Sequence, residues 1–183
     1  ESLSSFVNSL NNELLQETLR SSSNQVFLAL IDYLENKNQG IGKGIYIKDD
    51  IDDAFSETLM TGYYSNEKLN LMFQDNLNYT LANFLEELKT FAQLNGAFLS
   101  FAKIDDSKVN VFQQDPWHIN VSFIISYNLN VSRNEVSWNI LNKQISILLD
   151  IESYRDPLYL VEDNKNVTIN KTDVKTWTLD EFK

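Results

Sequence analysis

Apolar residues in the first forty positions recur at three- and four-residue steps. Leu3, Phe6, Val7, Leu10, Leu14 and Leu15 are separated by polar residues, and the stripe resumes as Val26, Phe27, Leu30, Ile31 and Leu34. This spacing places them on one side of a helix. Between the two runs lies a polar stretch, Glu17 to Asn24, whose Ser21-Ser22-Ser23 triplet has poor helix propensity. No Gly or Pro interrupts the segment before Gly40, so one long helix is expected over 1–38, stabilised by a tertiary partner. A second helical stripe, Leu77, Leu81, Phe84, Leu85, Leu88, Phe91 and Ala92, predicts a helix between Leu69 and Leu94. Asn95-Gly96 supplies its left-handed stop.

After Gly96 the period changes to two. Trp117, Ile119, Val121, Phe123, Ile125, Tyr127, Leu129 and Val131 alternate with mainly polar residues from His118 to Asn130, the pattern of a long strand with one buried face. Val136, Trp138 and Ile140 then alternate with one parity, and Ile145, Ile147, Leu149 and Ile151 with the other. One extra residue reverses the face of a strand, so a bulge is expected between about Leu141 and Gln144. Phe98 to Ile104 and the pair Val109 and Val111 read as earlier strands. Helices followed by a meander of strands predict an α+β domain, with a long N-terminal helix and a second helix packed on an antiparallel sheet. The expected division within one domain, 1–183, is an N-terminal helix over 1–38 and a helical middle over 54–96. A sheet over 97–160 and an edge strand or tail over 161–183 complete it.

The connecting segments carry few chemical signatures. Gly40-Ile41-Gly42-Lys43-Gly44 precedes a short strand-like run, Ile45-Tyr46-Ile47. It lacks both the Walker spacing and a Ser or Thr after the Lys, which excludes a phosphate loop. Asp49, Asp50, Asp52 and Asp53 cluster before Ala54, Phe55 and Leu59, where carboxylates cap a helix start and favour its dipole. A calcium loop would need a ladder of oxygen ligands with a Gly at the turn, and none follows, although Glu57 is near.

Composition narrows the function classes. Fifteen Lys+Arg against 26 Asp+Glu give a net charge of −11, which opposes approach to nucleic acid or anionic lipid. No Cys and one His remove thiol nucleophiles, disulfides, Cys-based zinc sites and sites needing two imidazoles. No cofactor or metal is implied, and no apolar run is long enough to span a bilayer as a helix. His118 falls on the polar parity of the long strand without an evident catalytic partner, so it is read as a surface residue. The adjacent acids Asp105-Asp106 and Glu86-Glu87 are what an acidic chain supplies by abundance. A hydrolase built from scattered carboxylates would require a concave pocket lined by acids of raised pKa. The expectation is that the chain is not an enzyme.

Asn78, Asn120, Asn130, Asn166 and Asn170 each open an Asn-x-Ser/Thr sequon, a mild excess over chance. They are the glycosylation candidates. Asn120 and Asn130 share the polar parity of the long strand, where a glycan would project away from the core. Tyr63, Tyr64 and Trp177 are candidate stacking platforms for a ligand.

Asp115-Pro116-Trp117 at the start of the long strand, Trp138, and the string Ile147 to Tyr159 with its Asp156-Pro157-Leu158-Tyr159 corner resemble membrane-anchored, pilin-like surface proteins of archaea. Leu59-Met60-Thr61-Gly62 and the following helix resemble the middle of the same arrangement. The resemblance runs from about Ala54 to Tyr159. It implies a long N-terminal helix that continues from a hydrophobic segment, and a sheet domain facing outside the cell. Glu1-Ser2-Leu3-Ser4-Ser5 departs from the apolar start of a processed pilin, so either an anchor lies outside this sequence or the chain is not a pilin and shares only an outward-facing module. The expected function is a non-enzymatic extracytoplasmic domain with a structural, adhesive or assembly role at a cell surface, its partners being other proteins or further copies of itself. The alternative is a stand-alone ligand- or carbohydrate-binding module.

Overall fold

The computed structural model describes residues 3–37, 51–74, 76–115, 117–131, 136–152 and 154. The expected N-terminal helix is continuous but not uniform. Leu3–Ser9 (α1) and Leu15–Lys37 (α2) are α-helical, and Leu10–Leu14 between them forms a π turn. The leucine spacing explains the turn. Leu10, Leu15 and Leu19 are all fully buried, yet a five-residue step in an α-helix rotates a side chain about 140° from its predecessor. The wider π turn, closed by the Leu15 N–H donating to the Leu10 carbonyl, returns Leu15 to the core side. The serine triplet does not break α2. Ser22 and Ser23 are buried because their small side chains let the neighbouring loop approach, and Ser22 Oγ donates to the Tyr79 carbonyl at 3.0 Å.

The middle segment is less helical than its periodicity suggests. Ile51–Thr61 (α3) is followed by a two-stranded hairpin, Tyr63–Tyr64 (β1) and Glu67–Lys68 (β2), then a 3₁₀ turn at Asn70–Phe73. The hairpin turn, Ser65-Asn66, has positive φ at both residues, the geometry that matches strand twist in a two-residue loop. Without a glycine, that turn carries little local signal. Gly62 precedes it at φ +76°, and a Cβ there would run into the Phe73 ring. The helix expected from Leu69 begins only at Leu81 (α4, Leu81–Leu94). Asn76 takes a left-handed conformation, Leu77 is 56% exposed, and Thr80 is the extended N-cap that accepts from the Asn83 N–H. Gly96, at φ +76°, ends the helix as expected.

Ala97–Phe101 (β3), Val109–Asp115 (β4), His118–Val131 (β5) and Val136–Asp150 (β6) form one antiparallel sheet. β5 is its axis. One side of β5 pairs with β6 along its whole length, and the other pairs with β4 near its start and β3 near its end. The expected bulge falls at Leu141 and Asn142. Ile125 pairs with Lys143 and Tyr127 with Ile140, leaving two residues opposite Ser126. Asn142 has φ +52°, and its N–H donates to Ser126 Oγ at 2.9 Å. The inward row Val121, Phe123, Ile125 and Leu129 is completely buried, in one core with residues of α1, α2, α3 and α4. This α+β arrangement leaves the helices on one side of the sheet.

Specific contacts blunt the outer edges of β4 and β6. On the β4 side, Asp52 in the first turn of α3 accepts from the Val111 N–H at 2.5 Å and from Asn110 Nδ2 at 3.1 Å. A carboxylate expected only to cap its own helix thus also satisfies a strand edge. On the β6 side, Arg20 of α2 donates from Nη1 to the Leu148 carbonyl at 2.8 Å. Lys143, at an inward register position, loses solvation, which lowers its ammonium pKa from the ordinary 10.5. A bulge and an inward-pointing cation are devices that discourage strand addition. Ile45-Tyr46-Ile47, the Gly40–Gly44 run, Asp49, Asp50 and the tail 161–183 lie outside the described residues.

Asp52→Ala strands the buried side of the β4 edge and is expected to lower stability by about 1–3 kcal/mol in urea unfolding. Ser22→Ala, which orphans the Tyr79 carbonyl, is expected to cost about 1 kcal/mol. Ser23→Ala should raise stability by up to about 1 kcal/mol, because Ser23 Oγ is buried without a hydrogen-bond partner.

Candidate functional site

At the start of β5 the only His acquires a partner that the linear pattern did not disclose. His118 Nδ1 lies 2.8 Å from both oxygens of Asp115, and the Trp117 N–H donates to Asp115 Oδ1 at 2.8 Å. The expectation of an unpartnered surface His118 is therefore corrected: its side chain is 26% exposed and bonded to a carboxylate. Asp115 closes the β4–β5 connection by accepting from the second residue onward, a turn chemistry suited to Asp. Asp150 stands opposite His118 on β6, so one imidazole is flanked by carboxylates from both neighbouring strands. The Trp117 N–H and then the His118 hydrogen bond hold the Asp115 pKa below the ordinary 3.8. That direction suits a structural carboxylate and is opposite to the one a general acid requires.

Beside this row, α2 and β6 enclose an open groove of about 360 Å³ lined by Glu17, Arg20, Ser21, Asn24, Leu149 and Asp150. Within it, Arg20 is engaged with the Leu148 carbonyl. One wall is set by Asn24, whose Oδ1 accepts from the Tyr154 hydroxyl. Burial, and then the Asp150 charge, raise the Tyr154 pKa above 10.0. A cation between two acids, with amide and hydroxyl neighbours, can hold a small polar group. Among the described residues no cluster of three or more His, Asp or Glu is arranged to bind a metal ion. The sequence offered no signal for this groove, because the segments of α2 and β6 that line it are more than a hundred residues apart.

The candidate stacking residues do not converge. Tyr64 is only 3% exposed and packs edge-on against Tyr33, with ring centroids 5.2 Å apart, so it belongs to the core and is not a platform. Tyr63 is exposed on the other side of the hairpin and meets Phe73 edge-on at 6.2 Å. Trp177 lies outside the described residues.

The sequons differ sharply in environment. Asn78 Oδ1 accepts from both the N–H and the hydroxyl of Thr80, at 3.0 and 2.7 Å. Its Asn-x-Thr spacing builds the α4 N-cap. Asn120 is half-buried on the outward face. Its Oδ1 accepts from Ser146 Oγ at 2.7 Å, and its Nδ2 donates to Gln114 Oε1 at 3.3 Å. Asn130 is exposed on the same face. Asn166 and Asn170 lie outside the described residues.

That outward face is the largest arrangement missed by reading single residues. Opposite the core, β5 presents Asn120, Ser122, Ile124, Ser126, Asn128 and Asn130. Phe112 and Leu148 flank Asn120, and Phe98 and Ser137 flank Asn130. Phe98, Phe112 and Leu148 are exposed at 56%, 47% and 38%. Their signal was present in the sequence as apolar residues at the polar parity of their strands.

Asp115→Asn is expected to alter the acid limb of stability. The folded Asp115 pKa is depressed, so its contribution is complete above the ordinary 3.8 and is lost as pH falls through the folded value. Urea midpoints between about pH 5 and pH 2 should fall more steeply for the parent chain than for the variant. Parallel curves would remove the interaction as a source of acid stability. Comparison with known proteins finds no matching family model, no matching curated protein and no matching solved structure.

Proposed function

We propose that this chain is a non-catalytic extracytoplasmic domain of a membrane-anchored, pilin-like surface protein, serving an assembly or adhesive role. The observation that carries the reading is the outward sheet face. Helices occupy the other face, while this one exposes amides, hydroxyls and three large apolar side chains. In a chain of net charge −11, a broad neutral surface favours macromolecular contact over solvation alone. The helix-then-sheet order and the motifs at Asp115-Pro116-Trp117 and Ile147 to Tyr159 support the pilin-like version of this reading.

The test is protease accessibility on intact cells of the native host, followed by separation of membrane and soluble fractions. The expected result is cleavage of the chain without lysis, with the uncleaved chain in the membrane or envelope fraction. Full protection until lysis, with recovery in the cell interior, would sink the proposal.

A further inference from the structure

We infer that the outward face of the sheet pairs with the same face of a second copy of this chain. The inference deepens the assembly reading and rests on it. Its basis is the distribution of charge. From the row centred on Asn120 to the row centred on Asn130, the cross-strand partners are Phe112 and Leu148, Asn110 and Ser146, Gln144, Ser100 and Asn139, then Phe98 and Ser137. None is charged. The charged outward residues of these strands, Asp115 and Asp150, are confined to one end, beside His118. Two copies carrying −11 each repel wherever their acids oppose, so a neutral face is where they approach at least electrostatic cost.

The chemistry of the face is self-complementary. Asn and Ser side chains both donate and accept, so a two-fold arrangement matches donors with acceptors from identical surfaces. The exposed rings of Phe98 and Phe112 supply apolar contact near either end of the patch. Strand addition is the competing route for a sheet, and it is opposed by Asp52 on β4 and by the bulge, Lys143 and Arg20 on β6. Size is consistent with a reversible pair. The face runs eleven positions along β5 and three strands across at each end, roughly 35 Å by 14 Å, or about 1,000 Å² over two copies. That lies at the small end of specific interfaces, so dissociation in the micromolar range is expected.

Analytical ultracentrifugation of the full chain over about 1–500 μM tests the pairing. The expected mass rises from 21.2 kDa to twice that value with concentration, and added salt tightens association by screening the net charge. Phe112→Glu, and separately Asn139→Glu, place like charges across the pair at exposed positions. Each should weaken dimerisation at least tenfold without changing the circular dichroism spectrum or the thermal midpoint. Two variants guard against one that folds poorly. A parent chain that stays at 21.2 kDa, or variants that dimerise as well as the parent, would overturn the pairing. Either result leaves surface exposure on intact cells, and with it the assembly reading, standing. A glycan on Asn130 in protein from the native host would also overturn it, because Asn130 lies inside the paired face.

Discussion

Val121, Phe123, Ile125 and Leu129 project from one strand into a space sealed from water, and the helices are held to the sheet by what they pack against that row. Burying each such side chain contributes about 1.5–3 kcal/mol. Among the described residues, an exposed ion pair such as Lys89–Glu86 does not approach that scale. The placement of β5 decides the rest. Because its neighbours on one side are β4 and then β3, while β6 runs its full length on the other, β5 sets the register of every strand in the sheet. A one-residue slip would turn Phe123 and Ile125 outward and Ser122 and Asn128 into the core.

The polar contacts refine this scaffold by closing places where backbone groups would otherwise be left bare. Asp52, Arg20, Ser22 and the Asn78–Thr80 pair each satisfy a backbone or capping group in another segment or at a helix start. Their value lies less in the bond itself than in the desolvation penalty avoided when a buried donor or acceptor has a partner. They also leave the molecule asymmetric. The edges of β4 and β6 carry side-chain contacts and its core face is covered, while its outward face presents neutral polar groups interspersed with phenylalanine and leucine.

That asymmetry connects fold to proposed role. An assembly domain needs one surface that tolerates contact and others that resist it. An excess of acids over the remaining surface, edge strands blunted by a bulge and capped by side chains, and a neutral broad face meet those needs together. The Asp115–His118–Asp150 row ends the neutral region. The groove between α2 and β6 lies beside it, on the margin of the sheet.

Features that depend on local periodicity were legible from the amino acids alone. The long helix, α4 beyond Thr80, the alternation of β5 and the bulge predicted by the parity change at β6 all arise from spacing, because 3.6- and 2-residue periods decide which face a side chain occupies. Features that depend on what a segment meets were not. Leu77 fits the helical stripe, but the left-handed Asn76 and the capping Thr80 exclude it from the helix. Tyr63 and Tyr64 are identical in the sequence, yet Tyr64 packs against the Tyr33 ring in the core while Tyr63 is exposed. His118 gained its carboxylate through a three-residue turn, and the α2–β6 groove joins segments more than a hundred residues apart. The sequence by itself determined the periods, and with them the class of fold and its inward rows. Tertiary structure decided partners and exposure, because contacts between distant segments depend on how far apart the packed layers sit, which no local spacing encodes.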